Sequence, residues 1–143
     1  MKTKFQICVF AVILLGCSKT NNVSPKENFL SSLTGHTWVT QSVYNETDGD
    51  LTSLYTNFSI VFTKGSSNTG GNYSVVNGSR AFANSSGTWV VSDDLKTITL
   101  NGTQAMNVTL NGNLLKLDFM LPAKSGRLSG LTGHFIFLLT TIG

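Results

Sequence analysis

The chain reads as an all-β protein: an eight-stranded antiparallel up-and-down barrel entered through one short N-terminal helix. Two stretches alternate apolar and polar residues with the period of a strand. Phe58, Ile60 and Phe62 interleave with Ser59, Val61 and Thr63, and Leu115, Leu117, Phe119 and Leu121 interleave with Lys116, Asp118 and Met120. Short-range turn signals separate such stretches: Asn111-Gly112 lies between two apolar alternations, with Asp93-Asp94 and Asn101-Gly102 in the same role. No helical pattern is long enough to cover a sheet. Closure into a barrel then removes the exposed edges that an open sheet of short strands would leave, with a two-sheet sandwich as the alternative.

The first element is the apolar run "FQICVFAVILLG", Phe5 to Gly16, preceded by Lys2 and Lys4. At roughly a dozen residues it is too short for a membrane span, which needs about 20. A basic start, a short apolar middle and a small residue before the cut form a secretory signal. Cys17 follows Leu14, Leu15 and Gly16, and this "LLGC" resembles the lipobox of bacterial lipoproteins. The resemblance implies that the signal is removed, that Cys17 is lipidated and begins the mature chain, and that the protein is held to a membrane of the cell envelope. Ser18 after the cysteine implies the outer membrane by the sorting rule of proteobacterial lipoproteins. Two or three acyl chains make a stable anchor where one does not. The expected organisation is therefore a signal peptide over residues 1–16, a lipidated polar tether over 17–23 and a barrel domain over 24–143.

Composition agrees with export. Cys8 and Cys17 are the two cysteines, and the first falls within the signal, so the mature chain keeps no thiol for a disulfide, a metal or nucleophilic catalysis. The formal charge of +3 shrinks as well, since removing Lys2 and Lys4 leaves eight basic residues against seven acidic ones. No Lys/Arg cluster stands in the mature part, which argues against a nucleic-acid partner.

The helix is expected at Ser24 to Gly35. Ser24 can cap, Pro25 suits the first helical position, Glu27 can complete a capping box and Gly35 is a stop. Phe29, Leu30 and Leu33 share one face, and so short a helix is unstable alone, so that face must pack against the barrel. It should close the barrel end nearest the amino terminus, leaving as the mouth the opposite end, rimmed by Glu46 to Asp50 and Pro122 to Leu128. The strands follow near Thr37 to Asn45, Tyr55 to Thr63, Asn72 to Asn77, Gly87 to Ser92, Lys96 to Asn101, Ala105 to Leu110, Leu114 to Leu121 and His134 to Ile142. In the last of these both faces are apolar. Phe135, Phe137 and Leu139 point one way, while Ile136 and Leu138 point the other, toward either the helix or an exposed patch.

A short helix leading into Gly35-His36-Thr37-Trp38, a second block "SGTWVVSDDLKTITL" at Ser86 to Leu100, and the preceding lipobox resemble the lipocalin-like domains of small envelope lipoproteins from Bacteroidetes-type bacteria. The opening pattern of lipocalins is Gly-X-Trp, and here one more residue separates Gly35 from Trp38. The resemblance implies a barrel that takes a small apolar or amphipathic ligand.

Candidate catalytic groups do not assemble in the sequence. His36 and His134 both follow Thr-Gly, but each starts its strand. In an even-numbered barrel the first and last strands pair antiparallel, which sets the two histidines some 20 Å or more apart at about 3.3 Å per residue. The "ETDGD" turn, Glu46 to Asp50, gathers carboxylates without the remaining ligands of a calcium loop and reads as a solvated hairpin tip. No Gly-X-Ser-X-Gly elbow is present. No enzyme, cofactor or metal site is therefore expected.

The aromatic residues Trp38, Phe58, Phe62, Trp89, Phe119 and Phe137 are the candidate ligand-binding set, although the same pattern serves a barrel core, and eight strands leave room for either filling. Two functions follow: a membrane-anchored module that binds a small hydrophobic ligand, or a filled-barrel structural or interaction lipoprotein, an inhibitor or accessory subunit acting through its loops on a protein partner the sequence does not identify. A cavity approaching about 300 Å³ favours the first and a packed interior the second.

Overall fold

A computed structural model describes residues 23–123 and 131–142. The expected signal, Cys17 and most of the tether lie outside the described residues, as does part of the Pro122 to Leu128 rim. Helix α1, Pro25–Leu33, is followed by β1 Thr37–Asn45, β2 Gly49–Asp50, a 3₁₀ turn Thr52–Tyr55, β3 Ser59–Lys64, β4 Gly70–Val76, β5 Ser86–Val91, β6 Thr97–Leu100, β7 Gln104–Asn111, β8 Leu114–Leu121 and β9 Gly133–Thr141. All neighbours pair antiparallel, and β1 pairs with β9 from Trp38↔Thr141 to Asn45↔Phe135. Strands β1 and β3 to β9 thus form a closed eight-stranded up-and-down barrel of lipocalin-like architecture, while the two-residue β2 folds back on the end of β1.

The capping box forms as the sequence predicts. Glu27 donates its backbone N–H to Ser24 Oγ at 3.2 Å, and Glu27 Oε2 accepts from the Ser24 backbone N–H at 3.2 Å. Leu30 and Leu33 are fully buried. The Trp38 indole donates to the Leu33 carbonyl at 2.9 Å, which satisfies one of the orphan carbonyls at the helix end. Lys26 Nζ reaches Asp93 Oδ1 in the β5–β6 turn at 3.0 Å. The helix therefore lies at the pole where β1 begins, together with the β3–β4, β5–β6 and β7–β8 turns. The β1–β3, β4–β5, β6–β7 and β8–β9 connections share the opposite pole.

The strands depart from the expected ones at two places, each for a local reason. Tyr55 closes the 3₁₀ turn rather than opening a strand. Leu51, Tyr55 and Phe58 are buried at helical spacing, and Asp50 Oδ1 accepts the Thr52 N–H at 2.8 Å to start the turn. The hairpin between β7 and β8 turns on Gly112 and Asn113, one residue later than the Asn-Gly pair suggests. Asn111 pairs with Leu114, and only the first central residue, Gly112, has positive φ, at 57°.

The barrel interior is filled. Phe62 packs edge-on against Trp89 at 5.6 Å, and Phe137 lies 5.0 to 6.2 Å from Tyr55, Phe58, Phe82, Phe119 and Phe135. On β9, Phe135, Phe137 and Leu139 are buried, whereas Leu138 is exposed and Ile136 half-buried. The outward set thus forms a wall patch with exposed Tyr44, the cross-strand partner of Ile136, and the helix leaves it uncovered.

Candidate functional site

The pole opposite the helix carries a cavity of about 420 Å³. The β4–β5 connection contributes Ser79 to Ala83, and the start of β7 contributes Gln104 and Ala105. The end of β8 and the segment after it contribute Met120 to Ala123, and Leu131 and Thr132 lead into β9. Its wall is mainly apolar. Polar character comes from the hydroxyls of Ser79, Thr103 and Thr132, from Arg80, and from Gln104, whose Nε2 donates to the Ala81 carbonyl at 2.9 Å and fixes the β4–β5 connection over the rim. Phe82 forms the floor and joins the core by stacking on Phe58 at 5.2 Å.

A second recess of about 440 Å³ lies beside it on the outer wall, lined by Glu46, Thr97, Ala105 to Asn107, Asp118 to Met120 and His134. Met106 and Phe119 point into the barrel, yet both line this outer recess. The register explains why. The β7–β8 ladder runs from Asn111↔Leu114 to Asn107↔Asp118 and ends there. Gln104 to Met106 stay paired with β6, and Phe119 to Leu121 stay paired with β9. The two strands consequently part over their last three positions at the rim.

The recess has an ordered polar end. His134 Nε2 lies 2.6 Å from Asp118 Oδ1, and Lys116 Nζ lies 3.1 Å from Asp118 Oδ2. Partial burial pushes the Asp118 carboxyl up, but the hydrogen bonds and positive charge of His134 and Lys116 outweigh that and hold it below its ordinary value. Glu46 Oε2 stands 3.8 Å from His134 Nδ1, so the imidazole lies between two carboxylates. Glu46 is positioned by its own backbone N–H, which donates to the His134 carbonyl at 3.0 Å. Buried Asn45 holds the hairpin tip, accepting from the Thr47 and Asp48 N–H groups at 2.8 and 3.0 Å and donating to the Thr132 carbonyl at 3.0 Å.

The candidate residues from the sequence fall into two groups. Trp38, Phe58, Phe62, Trp89, Phe119 and Phe137 are all buried in the barrel core. Of these, Phe119 lines the outer recess, and Phe58, Phe119 and Phe137 pack against the Phe82 floor of the rim cavity. Trp38, Phe62 and Trp89 belong to the helix-pole half, where the Trp89 indole donates to the Thr63 carbonyl at 3.1 Å. His36 packs edge-on against Trp38 at 6.0 Å, at the helix pole, whereas His134 lies beside Asn45 at the other end of β1. The two histidines are thus kept apart by the length of a strand. Sequence reasoning missed Phe82, Met120 and the Asp118–His134 pair. Alternation places Asp118 and Met120 on the outer face, but no single-sequence signal gives the early end of the β7–β8 ladder.

No family model matches the chain, and none of the curated proteins compared with it is similar.

Proposed function

We propose that the protein is a lipoprotein of the cell envelope, held by lipidated Cys17, whose lipocalin-like barrel binds a small apolar or amphipathic ligand at the rim opposite its helix. The observation that carries this reading is the rim cavity. At about 420 Å³ it falls within the range of small-molecule sites, and it combines an apolar wall with a few polar groups. The ligand rests on the aromatic core as on a floor, with Phe82 as the contact surface. The anchor reading rests on Leu14-Leu15-Gly16-Cys17 and on the tether that follows. A second reading, a filled barrel acting on a protein partner through its loops, is favoured by the closely packed interior aromatic cluster.

One preparation tests both parts. Cells supplied with a clickable fatty acid should yield labelled wild-type protein and unlabelled Cys17→Ser. A native mass spectrum of the labelled protein, purified from its own envelope, should show a retained small molecule. Equal labelling of the two forms refutes the anchor. A spectrum of the bare chain, unchanged by Phe82→Asp or by a bulky Ala83→Trp, favours the loop-acting alternative.

A further inference from the structure

We propose that the ligand of this barrel is elongated and lies across the parted edge between β7 and β8, its apolar chain in the rim cavity and a cationic or hydrogen-bond-donating head at Glu46. The inference rests on the rim-binding reading and specifies its ligand. Three observations carry it. The rim cavity and the outer recess share Ala105 and Met120 in their walls, so they meet over that pair. Both residues are exposed, Met120 at 65%, and continuing the β7–β8 register two positions beyond its last pair, Asn107↔Asp118, sets them opposite each other. The three unpaired positions, at about 3.4 Å each, give a saddle roughly 10 Å long, which suits a single chain better than a compact ring system.

The chemistry of the two ends differs. The rim end is mainly apolar, with Phe82, Leu121 and Leu131 around it, and its charged side chain, Arg80, is a cation. At the recess end, both Asp118 oxygens are engaged, one by His134 and one by Lys116. Among the described residues, the exposed Glu46 carboxylate is met only by His134 Nδ1, at 3.8 Å. It is therefore the acceptor available to a ligand head. Backbone groups on the facing strand edges also lack their β7–β8 partners there and can hydrogen-bond a polar linkage beside the head.

Photo-crosslinking in intact envelopes tests this on the full chain. Two probes are used, a long-chain alkylamine and the carboxylic acid of equal chain length, each carrying a diazirine in the chain. The amine should label peptides containing Ala105 and Met120, about three- to fivefold more than the acid, the factor a single exposed ion pair supplies. Ala105→Trp, at an exposed position, should block saddle labelling, and Glu46→Gln should abolish the amine preference while leaving chain labelling in place. Equal labelling by both probes confined to Ala81–Ala83 and Leu131, unaffected by either variant, overturns the saddle but leaves rim binding standing. A preference for the acid overturns the head assignment. Absence of labelling in the barrel overturns both this inference and the rim-binding reading.

Discussion

Asp118 shows how a side chain pointing away from the core still contributes to the fold. Its carboxylate receives His134 on one oxygen and Lys116 on the other, so it ties β9 to β8 on the outer wall. Because its folded-state value is held below the ordinary 3.8, its stabilising contribution is full above that value and is lost as pH falls through the lower, folded one. Asp118→Asn should therefore be less stable than wild type at neutral pH by up to about 1 kcal/mol, the scale of a partly exposed pair. Urea unfolding should find that gap closing below about pH 3.8. A gap independent of pH would mean that the pair contributes packing rather than charge. Tyr55 supplies the alkaline counterpart. Burial, partly offset by the charge of Arg80, pushes its hydroxyl up to about 12. The folded form keeps its proton longer than the unfolded chain, so this contribution is intact below pH 10 and is lost as pH rises toward 12. Spectrophotometric titration should then find one tyrosine that ionises only as the barrel unfolds.

At the scale of elements, the helix is the part most tightly specified by local sequence. Ser24, Pro25 and Glu27 write its start, and Leu30 and Leu33 carry it into the core. Leu33→Asp places a charge in a fully buried position and should cost several kcal/mol, while exposed Ser31→Asp should change stability by less than about 0.5 kcal/mol. Equal losses in urea unfolding would show that the helix does not close the pole. The strands were legible for a similar reason: one buried and one solvated face imposes a period of two, which is why the eight barrel strands stand within a few residues of their expected bounds. The exceptions are instructive. At Leu51, Tyr55 and Phe58 the chain must cross the rim and re-enter the barrel, and the helical spacing of those three hides behind the alternation that begins at Phe58. Gly71 belongs to β4 although glycine is a weak strand former, because a Cβ there would overlap the Thr63 carbonyl oxygen on the neighbouring strand. The site was less legible than the fold. Phe82 sits in a connection with no periodic pattern. The Asp118–His134 contact depends on register between β8 and β9, and the parted edge depends on where a ladder stops. None of these is a local property of the sequence.

At the scale of the whole molecule, the polarity of the barrel follows from its topology. The seven connections between the eight strands divide three to one end and four to the other. One end has three tight turns and the helix, and the other has the long connections that build the rim. The interior between them is occupied by Trp38, Phe62 and Trp89 toward the helix and by Phe58, Phe119, Phe135 and Phe137 toward the rim. The ligand binding proposed for this barrel is therefore assigned to its rim, with the core as a floor. The most direct test is an amide chemical-shift map of the domain titrated with an uncharged apolar probe such as 1-aminoanthracene. Shifts gathered at Ala81 to Ala83, Gln104, Met120, Leu121, Leu131 and Thr132, with Trp38, Phe62 and Trp89 unmoved, are the predicted result. Shifts centred on Trp38, Phe62 and Trp89 would contradict it, because the ligand would then lie inside the barrel, among the packed aromatic side chains of its core.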